Sequence, residues 1–373
     1  MSSTLLVLLG SVLLLLAAWD VFITTLTLRG GGPVVRRVTR LAWSGLLALH
    51  RRGVRPGLLG FGGGLAVALS LILWVILLAA GWGMVFAGLP GAVIDGSTGA
   101  PADLLSRLYF AGFNLFTLGV GDYRPSGPLA QALTVAASAS GLLAITLTIT
   151  YLGPVVSGGV SRRALAGEIS LLGQTPREII EAARAQGADR FASRLQGLAP
   201  AILEMAEKHL AYPVLDYFHS PDPRLALPLR LAGLYEALLA LSCGRDDHAK
   251  VVRDYQAVLE AIEIYVRRLG PYAADGNDAP EPPAPDLGGL AVDHERVLTV
   301  QTAAATTRRR LRSMVERDGW AWGDVSGGPP LMAPCRAPSL PPGPPAAPGC
   351  GPVRSGGAGQ AYRKWRGADC GPC

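Results

Sequence analysis

Residues 113–123 read Phe-Asn-Leu-Phe-Thr-Leu-Gly-Val-Gly-Asp-Tyr and lie between two long apolar runs. No nucleophile with its base and no metal-ligand spacing is spelled there. What Gly119 and Gly121 offer, with Thr117 before them and Asp122 after, is a permissive backbone where a helix would otherwise run. The densest polar group elsewhere is His209, Tyr212, Asp216, His219 and Asp222. Histidine as a residue type changes charge near neutral pH, so the group suits a proton or metal site, although a helix-ending turn bordered by packed Tyr and His is the expected arrangement. The sequence contains no Gly-X-Ser-X-Gly elbow, no His-Glu-X-X-His and no P-loop, so an enzyme is not expected.

The elements around residues 113–123 decide what such a backbone can do. Half of the 373 residues are hydrophobic, only 17% are charged, and mean hydropathy is +0.32. Nearly all the long apolar runs precede residue 155, which divides the chain into a membrane half and a water-facing half. Thr4 to Leu28, Gly64 to Gly88 and Pro128 to Leu152 are each long enough to cross a hydrocarbon core, which takes about 20 helical residues. The first lacks a basic n-region and a small-residue cleavage site, so it reads as an anchor and not a secretory signal. Between the first two spans stand Arg29, Arg36, Arg37, Arg40, Arg51, Arg52 and Arg55 with no acidic residue, which places that segment in the cytoplasm and the N-terminus outside. Arg162 and Arg163 after the third span agree. Residues 113–123 then fall between an outward-going and an inward-going helix, in a segment too short and broken to span alone. Non-helical backbone at membrane depth is tolerated where it lines a watery cavity or is buried in protein, so the segment must re-enter, and it suggests a pore.

Pro101 suits a first helical turn, Asp103 adds negative charge near a helix start, and Leu104 through Phe116 reads as a short apolar helix. Its C-terminal end points toward the middle of the membrane, where its dipole favours a cation. Thr117-Leu-Gly-Val-Gly-Asp122 resembles the selectivity filter of potassium channels, whose usual form is Thr-Val-Gly-Tyr-Gly-Asp, and the order of outer helix, pore helix, filter and inner helix is similar to the two-helix pore domain of that family. The resemblance covers residues 64–155. It implies that the carbonyls of Thr117, Leu118, Gly119 and Val120, with the Thr117 hydroxyl, replace the hydration shell of K+, and that Gly119 and Gly121 permit the angles that turn those carbonyls to one axis. With one such loop and no internal repeat, it implies a homotetramer. K+ is the permeant ion, and no cofactor is implied.

The sequence departs from that family at two places. Val120 stands where the family carries an aromatic residue that packs against pore-helix aromatics such as Tyr109 and Phe110. Phe113 stands where some relatives carry a Glu that pairs with the filter Asp, so Asp122 needs another donor, and Arg124 is available. Gly141 is placed where many relatives bend the inner helix, although a small residue for close helix packing is the alternative. Gly153-Pro154 is expected to end or kink that helix.

The fold expected is therefore an all-α membrane protein. An N-terminal transmembrane helix occupies 1–28, a basic cytoplasmic segment 29–63, and a pore domain 64–155. Within the pore domain the outer helix is 64–88, the pore helix 101–116, the filter 117–122 and the inner helix 128–152. A cytoplasmic helical bundle follows over 160–317 and a disordered Pro/Gly-rich tail over 318–373. Asp20, inside the first span, is a functional candidate by default, with a structural contact to Thr24, Thr25 or an arginine as the milder reading. Arg36, Arg37 and Arg40, with Trp43 and nearby leucines, suit an interfacial amphipathic helix at anionic lipid. The glycines at 30–32 and 60–64 follow no strand, so they suit flexible joints and not a dinucleotide-binding turn. A sequence pI of about 9.2 reflects arginines that flank the spans, so nucleic acid is not an expected partner, while the helical bundle awaits a regulator of unknown kind. Cys370-Gly-Pro-Cys373 has the spelling of a thioredoxin site but neither the βαβ fold nor the helix start that chemistry needs. Function is expected to be potassium-selective conduction through the cell membrane; the alternatives are a weakly selective cation channel or a non-conducting scaffold or sensor.

Overall fold

The computed structural model describes residues 3–27, 30–53, 57–243, 249–269, 279–283 and 294–327. Arg29, Arg55 and the tail cysteines Cys335, Cys350, Cys370 and Cys373 lie outside them. Helices α1 (Ser3–Leu26), α2 (Pro33–Arg51), α3 (Gly62–Ala87), α4 (Leu104–Leu115) and α5 (Gly127–Ser170) make the first part of the fold. Strands β1 (Val93–Asp95) and β2 (Tyr123–Pro125) pair antiparallel, Ile94 opposite Arg124. Helices α6 (Pro176–Gln186), α7 (Ala188–Leu195), α8 (Leu198–Ala211), α9 (Leu227–Ser242), α10 (Ala249–Arg268) and α11 (His294–Arg317) make the second part. Ser3–Leu26, Leu58–Ala87 and Gly127–Ser170 are long and apolar enough to cross a membrane.

The first two spans meet through small residues. A methyl group on Gly10 would lie 2.6 Å from the Gly81 carbonyl oxygen, so the α1 and α3 backbones touch where neither has a side chain. Asp20 takes the structural role. Its Oδ1 accepts from the Val34 N–H at 2.7 Å, and its Oδ2 accepts from the Trp74 indole at 2.9 Å and the Val35 N–H at 3.4 Å. A fully buried carboxylate thereby caps the first turn of α2, which lacks a side-chain cap of its own. The helix expected around Arg36, Arg37, Arg40 and Trp43 in the basic segment is α2.

Among the glycines expected to be joints, Gly32, Gly62 and Gly63 are packing positions, while Gly31, Gly60 and Gly64 have open space around them. Methyl groups on Gly62 and Gly63 would strike the Trp43 and Phe218 rings at 2.4 and 2.5 Å, and one on Gly32 would strike Asp20 at 2.3 Å. At Gly62 and Gly63 the missing side chain serves close approach of α3 to α2 and to the turn at Tyr217 and Phe218.

The third span also departs from expectation. Helix α5 continues through Gly153 and Pro154 for 44 residues and carries the chain from the apolar half into the C-terminal helices. A proline costs a helix one hydrogen bond and a clash with the preceding turn, and the turns of α5 on either side keep the helix going. There α9 is buried along nearly its whole length, from Leu227 to Ala240, and α5, α6, α10 and α11 pack around it, with α8 against α10 and α5. One buried ion pair crosses that core: Arg308 Nε reaches Glu236 Oε1 at 2.7 Å and its Nη2 reaches Oε2 at 3.1 Å. Helices α7 and α8 are divided at Gly197, whose φ is +92°. The expected tail begins too early at 318: Asp318 is buried, and Trp322 and Val325, in a 3-10 turn over Trp322–Ser326, join the core.

Candidate pore segment

The segment that leads to residues 117–122 is set from its first turn. Pro101 bridges to Ile94 outside the helix, and Asp103 is the N-cap, its Oδ1 accepting from the Ser106 N–H at 2.7 Å. The helix therefore starts three residues later than Pro101 suggests, because the carboxylate satisfies an end amide that proline could not. Hydrogen bonds from Ser106 hold the Asp103 carboxyl below its usual range. Arg107 ties the same turn to α3 by donating to the Ala87 carbonyl at 2.9 Å.

The buried face of α4 is aromatic. Phe110 packs edge-on against Phe86 at 5.1 Å and against Phe113 at 5.3 Å between ring centres. The end of α4 is clamped by α5: Ser138 Oγ donates to the Asn114 carbonyl at 2.9 Å, and one turn later a methyl group on Gly141 would stand 1.9 Å from the Leu115 carbonyl oxygen. Gly141 is thus a contact position between α4 and α5. Gly153 and Pro154 stand exposed in mid-helix, far from this contact.

After α4 the backbone changes hand at alternate residues. Thr117, Gly119 and Gly121 have φ of +56°, +60° and +90°, and Thr117 is the only non-glycine residue in that region among the described residues. A threonine held there is strained by about 1–2 kcal/mol. Thr117 and Leu118 donate back to the carbonyls of Asn114 and Phe113 at 3.0 and 2.9 Å, closing α4. Among the described residues nothing donates to the carbonyls of Thr117, Leu118, Gly119 or Val120. Those residues lie on the chain's surface, with Leu118 at 67% and Val120 at 54% exposure.

Beyond Gly121 the chain is anchored again. Gly96 donates its N–H to the Asp122 carbonyl at 2.6 Å, and the β1–β2 ladder follows. Asp122 Oδ2 accepts from the Tyr109 hydroxyl at 3.4 Å, so the partner is the pore-segment tyrosine and not Arg124, which is drawn to the Gly96 carbonyl. Tyr109 and Asp122 are brought together; Phe110 supports from behind.

The group around His209 does not converge. His209 is buried beside Tyr265, whose hydroxyl lies 3.3 Å from Nδ1, with Asp216 3.6 Å from Nε2. Tyr212 instead packs on Tyr151, His219 lies against Asp318, and Asp222 caps a short turn at Arg224. No group of three His, Cys, Asp or Glu suited to a metal occurs among the described residues. Burial, with Arg162 nearby, lowers His209 to about 3, and burial pushes the Asp216 carboxyl up to about 7. The partner that sequence reasoning missed is Arg162, paired with Asp318 at 2.6 Å across 156 positions of sequence. The signal available was its place just after the third span.

A family described as Ion channel matches residues 72–157, the stretch from mid-α3 through the first two-thirds of α5. A protein of Bacillus subtilis (strain 168) named Uncharacterized membrane protein YdjJ is 30% identical over 237 residues, which is 63% of this chain and 69% of that protein. No solved structure matches the chain. With three apolar helices, a short helix ending in open carbonyls, and these two similarities, the chain belongs to the ion channel family of the two-transmembrane-helix pore type.

Proposed function

We propose that this channel is potassium-selective and that four copies of the chain surround one pore, with Thr117, Leu118, Gly119, Val120 and Gly121 as its filter. In this reading α3 is the outer helix, α4 the pore helix and α5 the inner helix. The observation that carries it is the alternation of left-handed backbone at Thr117, Gly119 and Gly121 beside four carbonyls that accept no hydrogen bond from the described residues. Carbonyl rings from four chains would replace the water around a dehydrated cation, and the dipole of α4 would add negative potential below them.

Charge at the two ends supports the direction. Asp95, Asp103 and Asp122 gather near the far end of residues 117–122, and hydrogen bonds from Ser97 and Thr98 hold Asp95 far below the usual carboxylate range. Acidic groups at an outer mouth concentrate cations. Arg36, Arg37 and Arg40 follow the first span in sequence and Arg162 and Arg163 follow the apolar part of the third, which supports a reading with the C-terminal helices in the cytoplasm and the N-terminus outside. The basic face of α2 suits anionic lipid, and the C-terminal bundle suits a regulator.

A second reading, a weakly selective cation channel, is favoured by Val120. The residue is small and half exposed, and the Tyr109 hydroxyl is engaged with Asp122. Paired flux of K+ and Na+ in proteoliposomes separates the two. Potassium flux alone supports the first, equal flux of both supports the second, and no flux under any stimulus overturns both. Gly119→Ala keeps its space but strains a left-handed residue by about 1–2 kcal/mol in each chain. It is expected to insert normally and to stop conducting, and an unchanged current would mean that the filter lies elsewhere.

A further inference from the structure

A cavity of about 450 Å³ opens where α2, α5, α8, α10 and α11 meet. Its lining runs from Arg40 and Ser44, exposed on α2, to His209, Tyr265 and Val266, which are buried. The polar side chains along it are already engaged. Arg162 pairs with Asp318 at 2.6 Å, Ser44 Oγ donates to the Arg40 carbonyl at 2.9 Å, and Asp216 lies 3.6 Å from His209 Nε2. Arg40, Arg310 and Arg317 each have an interaction within the chain. His209 is uncharged at neutral pH and burial pushes the Asp216 carboxyl up to about 7, so that pair adds little charge. Arg162 Nε and Asp318 Oδ2 make no hydrogen bond among the described residues, but both are closed to water.

The polar tips of the aromatic residues are engaged as well. The Trp43 indole donates to the Arg317 carbonyl at 3.1 Å, the Tyr265 hydroxyl lies 3.3 Å from His209 Nδ1, and the Tyr217 hydroxyl meets Thr39 at 3.5 Å. What is left to meet an occupant is mostly carbon, from these three rings and from Leu47, Leu269 and Met314. Water is held poorly in such a space, because it needs several polar partners of its own. An ion would have to displace an existing partner or stay unpaired in a low-dielectric site, which is strongly unfavourable. A cavity of this volume with apolar and aromatic walls is the usual form of a small-molecule site.

We propose that this cavity binds a neutral small molecule with an aromatic body, held by the rings of Trp43, Tyr217 and Tyr265 and by the apolar side chains of α2, α10 and α11. Aromatic rings favour edge-on and tilted contact, as Trp43 and Tyr217 already show with ring centres 5.6 Å apart and planes inclined by 46°. The bond from Trp43 to Arg317 joins α2 to α11, and the Arg162–Asp318 pair joins α5 to the end of α11, both at the cavity wall. An occupant therefore bears on α5, the helix that follows the filter; that consequence rests on the pore reading, whereas binding itself does not.

Crystals of the full chain soaked separately in para-bromophenol, para-bromobenzoate, para-bromobenzylammonium and a phosphatidylcholine with brominated acyl chains locate each probe by the anomalous signal of bromine. A peak inside the cavity from para-bromophenol, with none from the two ions or the lipid, supports the proposal. In solution, para-bromophenol should raise the unfolding temperature of the wild type, and the shift should be lost in Leu269→Trp and Met314→Trp, where a larger side chain at a half-buried lining position fills the space. If one variant does not fold, the other carries this comparison, and the crystals stand without either. The proposal is overturned if para-bromophenol leaves no peak in the cavity, if an ion or the lipid chain occupies it, or if a folded variant keeps the wild-type shift. Because both readouts are taken without any flux, binding stands or falls apart from the conduction reading.

Discussion

Gly141→Ala is the substitution in which fold and function meet most closely. The added methyl would sit 1.9 Å from the Leu115 carbonyl oxygen and 2.9 Å from its carbon. An ordinary carbon–oxygen contact needs about 3.3 Å, so α4 and α5 must separate by more than 1 Å, roughly, at the last turn of α4. That movement also stretches the 2.9 Å bond from Ser138 to Asn114. Overpacking of this kind costs about 1–3 kcal/mol, and the weakened hydrogen bond adds up to about 1 kcal/mol. Leu115 stands two residues before Thr117, so the displacement reaches the strained backbone directly. The variant should therefore unfold at lower temperature in detergent and lose potassium flux in liposomes. Gly153→Ala is the matched control: its methyl meets nothing within 4 Å, and in mid-helix alanine is favoured over glycine by up to about 1 kcal/mol. If Gly141→Ala kept wild-type stability and flux while Gly153→Ala lost them, the contact would be irrelevant and the bend would belong to Gly153.

Other perturbations test the parts around it. Asp20→Ala leaves the Val34 N–H and the Trp74 indole N–H without their acceptor, at about 1–3 kcal/mol for each buried group; a clear drop in the unfolding temperature is expected, and an unchanged one would contradict the capping role. The His209–Asp216 pair predicts opposite pH responses. Asp216 keeps its proton up to about 7 against an ordinary 3.8, so the folded state binds the extra proton in between and stability falls as pH rises through that window. His209, lowered from 6.5 to about 3, makes the unfolded state bind the extra proton, so its contribution rises with pH over that interval. From about pH 4 to 6.5 the two offset. Relative to wild type, His209→Gln should uncover a fall and Asp216→Asn a rise, each approaching 1.4 kcal/mol per pH unit, roughly; the same sign in both variants would refute the assignment.

The parts of the fold set by local pattern were legible in sequence. The three apolar runs, the short helix before Thr117, and the Thr175 cap of α6 each follow from hydropathy or spacing within about one helical turn. The cap is present, with Thr175 Oγ accepting from the Glu178 N–H at 3.1 Å. What was not legible depends on distant partners. The role of Gly62 needs Trp43 and Tyr217, and the burial of Asp318 needs Arg162, 156 positions earlier. Pro154 misled because its effect depends on whether the surrounding helix is held by packing, and α5 is packed on both sides of it, by Tyr151 and Val155. At the candidate pore the residue types announced the backbone, yet Tyr109 as the partner of Asp122 depends on side-chain direction, which a spacing of 13 positions does not give.

The central claim is that open carbonyls from several chains hold a bare cation, and anomalous scattering from crystals soaked in rubidium tests it directly. The account predicts a row of rubidium peaks on a fourfold axis, level with the carbonyls of Thr117 to Val120. An axis without rubidium beside those residues, or chains that place them away from any shared axis, would contradict it.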